Sequence, residues 1–152
     1  MHFRDYQAVL DGRKTQTRRP KQEGECLVIR GADMKTVLTP SGRVKWQEGR
    51  RYAIQPPGRG NPLVGRFTLL DIREELVQDI SEGDAFAEGI GNPDFDDEIS
   101  GSCLASIAGG CGACENCDPV WYFKLLWNDI WKYRPEYQWK ANPDVWVLVI
   151  EV

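Results

Sequence analysis

The apolar residues of this chain come in short bursts, most of them closed by glycine, proline or an Asn-Pro pair. Runs of about four to eight such residues between turn signals read as strands, so the core has to be assembled from many short strands. Cys26–Arg30, Arg51–Ile54 and Val64–Leu70 read this way, the last running on towards Ile72. Lys35–Leu38 and Arg43–Trp46 flank Pro40-Ser41-Gly42, a hairpin signal. Thr15–Arg19 is extended and ends at Pro20, and Val145–Val152 is a last strand entered through the Asn142-Pro143 turn. Small helices join these strands. Phe3–Leu10 can bury Phe3, Tyr6 and Leu10 and is closed by Gly12 in a left-handed cap. Ser81 can cap a helix running to Glu88, with Asp84 at the reciprocal position and Gly89 at its end. Asp118-Pro119 opens another, whose Val120, Phe123, Trp127, Ile130 and Trp131 keep a helical period and which Pro135 stops. The expected class is α+β, a closed or nearly closed β-barrel of short, mostly antiparallel strands with a few flanking helices.

The chain has 152 residues, which suits one domain with a real core over 1–152. Residues 91–118, rich in Gly, Asp and Cys, read as an insertion into it. Hydrophobic residues at 41% exclude a disordered chain. The longest apolar run, Val145–Ile150, is far too short to span a membrane. Met1-His2-Phe3-Arg4-Asp5 lacks the apolar core of a signal peptide, so a cytoplasmic chain without a membrane partner is expected.

Net charge is −4, unevenly spread. Residues 1–60 hold 13 Lys and Arg against 6 Asp and Glu, whereas residues 61–152 hold 6 against 17. An acidic chain is a poor non-specific polyanion binder. A basic half on an acidic body suits one confined anionic ligand, such as a nucleotide or a short single strand.

Gly12-Arg13-Lys14-Thr15-Gln16-Thr17-Arg18-Arg19 resembles the hallmark of the ASCH domain family, carried by Gly12, Lys14, Thr17 and Arg19. Ile80-Ser81-Glu82 through Ala87-Glu88-Gly89 is similar to that family's short helix ending in Glu-Gly. Phe123–Trp131 with Asn142-Pro143-Asp144-Val145-Trp146-Val147 is similar to the closing helix, turn and strand of phage-like and bacterial members. The likeness spans nearly the whole chain outside the insertion. It implies a PUA-like barrel with a cleft for RNA, single-stranded nucleic acid or a modified nucleoside. Some small members resemble amidohydrolases that remove the acetyl group of N4-acetylcytidine. Their lysine, threonine and glutamate map to Lys14, Thr17 and Glu88. The insertion departs from the pattern and leaves the substrate open.

Amide hydrolysis needs a nucleophile, a base and a proton for the leaving amine. Lys14 can take the Thr17 proton only if burial or nearby cations lower its pKa, and Arg13, Arg18 and Arg19 are near in sequence. Glu88 can then serve the amine. On a regular strand Lys14 and Thr17 face opposite sides, so a shared site demands a bend after Gly12.

The lone histidine, His2, leaves no basis for a His-dependent triad. An odd count of five cysteines argues against a disulfide framework. Cys111, Cys114 and Cys117 have knuckle spacing, and Cys103 can supply a fourth thiolate for a structural Zn²⁺. Free thiols and an iron–sulfur cluster are the alternatives. Cys26 reads as a buried strand residue, Trp127, Trp131 and Trp146 as core, and Trp121, Trp139 and Tyr137 as candidates for a cleft wall.

Two functions remain open. One is an amidohydrolase acting on N4-acylated cytidine through Lys14, Thr17 and Glu88. The other is a non-catalytic module for RNA or single-stranded nucleic acid that relies on Arg13, Arg18 and Arg19.

Overall fold

The structure, a computed structural model, describes residues 1–31, 33–58, 60–90 and 118–152. Its elements run α1 (Tyr6–Leu10), β1 (Gln16–Pro20), β2 (Cys26–Arg30), β3 (Met34–Leu38), β4 (Val44–Gln47), β5 (Arg51–Ile54), β6 (Gly65–Leu76), α2 (Glu82–Ala87), α3 (Pro119–Ile130) and β7 (Asp144–Glu151). The class is α+β. The strands form two antiparallel sheets, one ordered β1-β7-β6-β5 and one β2-β3-β4. No described helix is long and apolar enough to cross a membrane.

The sheets do not close into one barrel among the described residues. They share a core instead. Val37, Leu27 and Trp46 from the small sheet join Phe67, Leu69 and Trp146 from the large one in a first core. At the β4–β5 turn, Gly49 N–H donates to the Leu69 carbonyl and Leu69 N–H to that of Arg50, which holds the small sheet against β6.

β7 decides how the layers stack. Its Trp146, Leu148 and Ile150 enter the first core, while Val145 and Val147 face a second, built with Val77, Phe123 and Trp127 beneath α3. A strand covered on both faces reads as one continuous apolar run, which is why Val145–Ile150 is the longest in the chain. β1 lies beside it at the sheet edge, Thr17 paired with Leu148 and Arg19 with Trp146.

Several boundaries differ from the sequence reading. α1 begins at Tyr6, because the Asp5 carboxylate accepts from Ala8 N–H and caps it there. β6 runs four residues past Ile72, to Leu76. Its charged end disguised it, yet there Glu74 pairs with Lys21 and Glu75 with Arg18. α3 stops at Ile130, well before Pro135, which opens a short 3₁₀ turn. The chain folds back there, Tyr137 carbonyl accepting from Trp127 Nε1 at 2.6 Å. Cys26 is exposed, on the outer strand of the small sheet.

One buried carboxylate ties the first core to the small sheet. Glu25 is 4% exposed and accepts from Trp146 Nε1 at 2.8 Å, from Gln22 N–H at 3.2 Å and from Lys45 Nζ at 2.5 Å. Burial raises its pKa, but Lys45, Trp146 and Gln22 outweigh that, and the net shift is downward. Its contribution is thus present above the unfolded carboxylate pKa of about 4.3 and lost as pH falls through the depressed value. Glu25→Ala strands Lys45 and the indole N–H and is expected to cost about 3 kcal/mol in urea denaturation. Glu25→Gln should melt with less acid sensitivity than the parent protein, and equal sensitivity in the two would refute this account.

Candidate functional site

The bend that the hallmark segment requires lies ahead of β1. Gly12 adopts φ +71° at the end of α1. The chain then doubles back, and the Arg13 and Lys14 N–H groups both donate to the Ala8 carbonyl at 2.9 Å. Thr15 N–H donates to the Ala87 carbonyl at 2.8 Å, docking this segment on the C-terminal end of α2. Lys14 therefore precedes the strand, and alternation within β1 does not separate it from Thr17.

α2 ends at Glu88-Gly89. Gly89 has φ +89°, and a Cβ there would stand 3.4 Å from Lys14 Cβ. Glycine meets both demands at once. Lys14 Nζ lies 2.5 Å from Glu88 Oε2 and 2.5 Å from the Glu88 carbonyl, with side chains only 12% and 5% exposed.

Arg18 and Arg19 are neighbours with opposite surroundings, because side chains alternate across a strand. Arg18 faces the helix layer, over the Phe123 ring, and its side chain is wholly buried. Its Nε donates to Glu75 Oε1 at 2.7 Å and NH1 to Glu88 Oε1 at 3.2 Å. NH2 stands 2.6 Å from Glu75 Oε1 and 3.2 Å from Asp84 Oδ2 as ion contacts without hydrogen-bond alignment. Asp84 is raised by burial, but Gln16, Arg73 and Arg18 together hold its carboxyl below the usual range. Arg19 shares the Thr17 face and lies over the Phe3 ring, its NH2 donating to the His2 carbonyl at 2.9 Å.

These side chains converge on a cavity of about 460 Å³. Lys14, Thr17, Arg18, Arg19 and Glu88 line it, together with Phe123, Leu126, Trp127, Ile130 and Trp131 of α3 and the turn after it. Every expected site residue outside the cysteine group is here except Arg13, which is exposed and pairs with Asp11 at 3.0 Å.

The aromatic wall differs from the expected one. Trp127 and Trp131, assigned to the core by their period, also line the cavity. Tyr137 packs behind Trp131, Trp139 packs on Phe123, and Trp121 lies outside the lining. His2 and Phe3 line it as well, which no local pattern announces. Cys103, Cys111, Cys114 and Cys117 lie outside the described residues. Among the described residues no group of three or more His, Cys, Asp or Glu is placed to hold a metal ion.

No protein-family model, curated protein or solved structure matches the chain.

Two substitutions test this geometry. Arg18→Met leaves Glu75, Asp84 and Glu88 facing one another in a desolvated site, and an expected loss of about 3–5 kcal/mol follows. Part of that loss should be regained on acidification, because protonation relieves the repulsion; a surface-like loss under 1 kcal/mol, independent of pH, would remove Arg18 from its central place. Gly89→Ala should destabilise by about 1 kcal/mol or more through its positive φ.

Proposed function

We propose that the cavity holds a single pyrimidine-like nucleoside and hydrolyses the amide of N4-acylated cytidine, using Lys14, Thr17 and Glu88. The observation that carries this is their joint presence in the lining of one cavity, with Lys14 and Glu88 in direct contact. The likeness of Gly12–Arg19 and Glu88-Gly89 to the ASCH hallmark supports it. On this reading the two stacked sheets are a split form of a PUA-like barrel. The volume falls within the range of about 300–1,000 Å³ typical of small-molecule sites. Lys14, Arg18 and Lys132 are already paired with carboxylates, which suits a small ligand better than a long polyanion. The aromatic wall offers a base a stacking surface.

The chemistry follows from the pairing. Glu88 Oε1 is held by Arg18, leaving Oε2 to Lys14. Lys14 passes a proton to Glu88, and the neutral amine takes the Thr17 hydroxyl proton as Oγ1 attacks the acyl carbonyl. Glu88 returns its proton to N4 as the C–N bond breaks and cytidine leaves. Lys14 passes its proton to Glu88 a second time, and the neutral amine takes a proton from a water that attacks the acyl-threonine ester. Glu88 returns its proton to Oγ1 as the ester C–O bond breaks, releasing the carboxylic acid and restoring Thr17.

The test is incubation with N4-acetylcytidine, following conversion to cytidine by absorbance. Lys14→Ala should lower kcat by about 10²–10⁴-fold, and Thr17→Ala should abolish the acyl-enzyme step. A folded parent protein without turnover would sink the enzymatic reading and leave a binding module for RNA or single strands, recognised by affinity that falls steeply with salt.

A further inference from the structure

We propose that Arg19 forms an anion subsite in the cavity and that the natural ligand carries a phosphate ester there, so that the site prefers a nucleotide to a bare nucleoside. The choice of phosphate rests on the nucleoside reading above; the anion subsite itself does not.

The motivating contrast is in how the cavity's cations are satisfied. Lys14 is paired with Glu88, Arg18 with Glu75, Asp84 and Glu88, and Arg4 and Lys132 with Asp129. Arg19 has no carboxylate at ion-pair distance among the described residues. Its NH2 donates to a neutral carbonyl, that of His2, and its Nε is buried without a hydrogen-bond partner. A cation that the fold needed only for packing would be expected to carry its own counter-charge, as Arg18 does one residue away. Burial also draws the Arg19 guanidinium below its usual pKa, with the Glu88 carboxylate opposing the shift. The half-buried guanidinium thus keeps a desolvated Nε without a partner and no carboxylate in direct contact among the described residues, and it lines the cavity.

It is also held in place. The Phe3 ring lies against the guanidinium, 5.5 Å from its centroid, and the His2 carbonyl fixes NH2. A planar, preset fork is matched to phosphate oxygens. Thr17 and Arg19 share one face of β1 about 6.6 Å apart, two residues along the strand. An anion on Arg19 would thus anchor a ligand whose reacting end lies near Thr17.

Calorimetric titration of the full chain at low salt tests this, with cytidine, cytidine 5′-monophosphate, a cytidine dinucleotide, inorganic phosphate and acetate as probes. The proteins are the parent, Arg19→Met and Arg19→Lys, each checked by thermal melting. Cytidine 5′-monophosphate should bind about tenfold or more tighter than cytidine to the parent. That advantage should vanish in Arg19→Met and return in part in Arg19→Lys. Arg19-dependent binding of inorganic phosphate without any binding of cytidine keeps the subsite and removes the nucleoside reading. A dinucleotide tighter than the mononucleotide assigns the phosphate to a strand, and the reverse order to a free nucleotide. Equal affinity of cytidine and its monophosphate for the parent overturns the proposal. So does a phosphate advantage that survives in Arg19→Met, or acetate binding as tightly as phosphate.

Discussion

The buried guanidinium of Arg18 is the constraint around which the site is arranged. One side chain on β1 meets Glu75 at the end of β6 and both Asp84 and Glu88 of the α2 region, and it lies over Phe123 of α3. Three separate segments are thereby fixed relative to one edge strand. Buried ion clusters are costly unless their geometry satisfies every member. Here the cost is spread, because Arg73 also holds Asp84 and Glu75. Glu88 is consequently placed by Arg18 before any ligand enters, and its remaining oxygen is the one that Lys14 reaches.

The alternation of β1 then divides labour between adjacent arginines. Arg18 points into the helix layer and is saturated by carboxylates. Arg19 points the other way, over Phe3, and has no carboxylate at ion-pair distance among the described residues. Two identical side chains in sequence thus differ in role because of the strand's period of two and because β7, their partner, is buried on both faces. β1 is an edge strand, and residues from both of its faces, Thr17 and Arg19 on one and Arg18 on the other, line the cavity.

Much of this fold was legible in the sequence. Turn residues located β2 and β5 to the residue and β3 and β4 to within one, because local chemistry alone sets a hairpin at Pro40-Ser41-Gly42. The end of β6 was not legible, since Arg73-Glu74-Glu75 looks like loop until Lys21, Arg18 and Asp84 arrive from distant positions to neutralise it. Sheet closure was equally out of reach, being a matter of which strand edges meet. Of the site, Lys14, Thr17 and Glu88 could be named together only through the family likeness. Arg18 and Arg19 were indistinguishable by type. The aromatic wall was half visible, since one helical face can cover a core and line a cavity at once.

The resting contact between Lys14 and Glu88 also bears on what the site can do. An ammonium held at 2.5 Å by a carboxylate and a carbonyl is a proton donor already aligned, not a free base. In the proposed reaction it becomes a base only by giving its proton to Glu88, and Glu88 would then be the acid that the leaving amine requires, so that one proton moved across one contact would prepare both partners. Such an arrangement needs no histidine, in keeping with a chain whose lone histidine contributes its backbone carbonyl to orient Arg19. It needs close placement of Lys14 over the end of α2, and that is the approach that Gly89, with no side chain to obstruct it, leaves open.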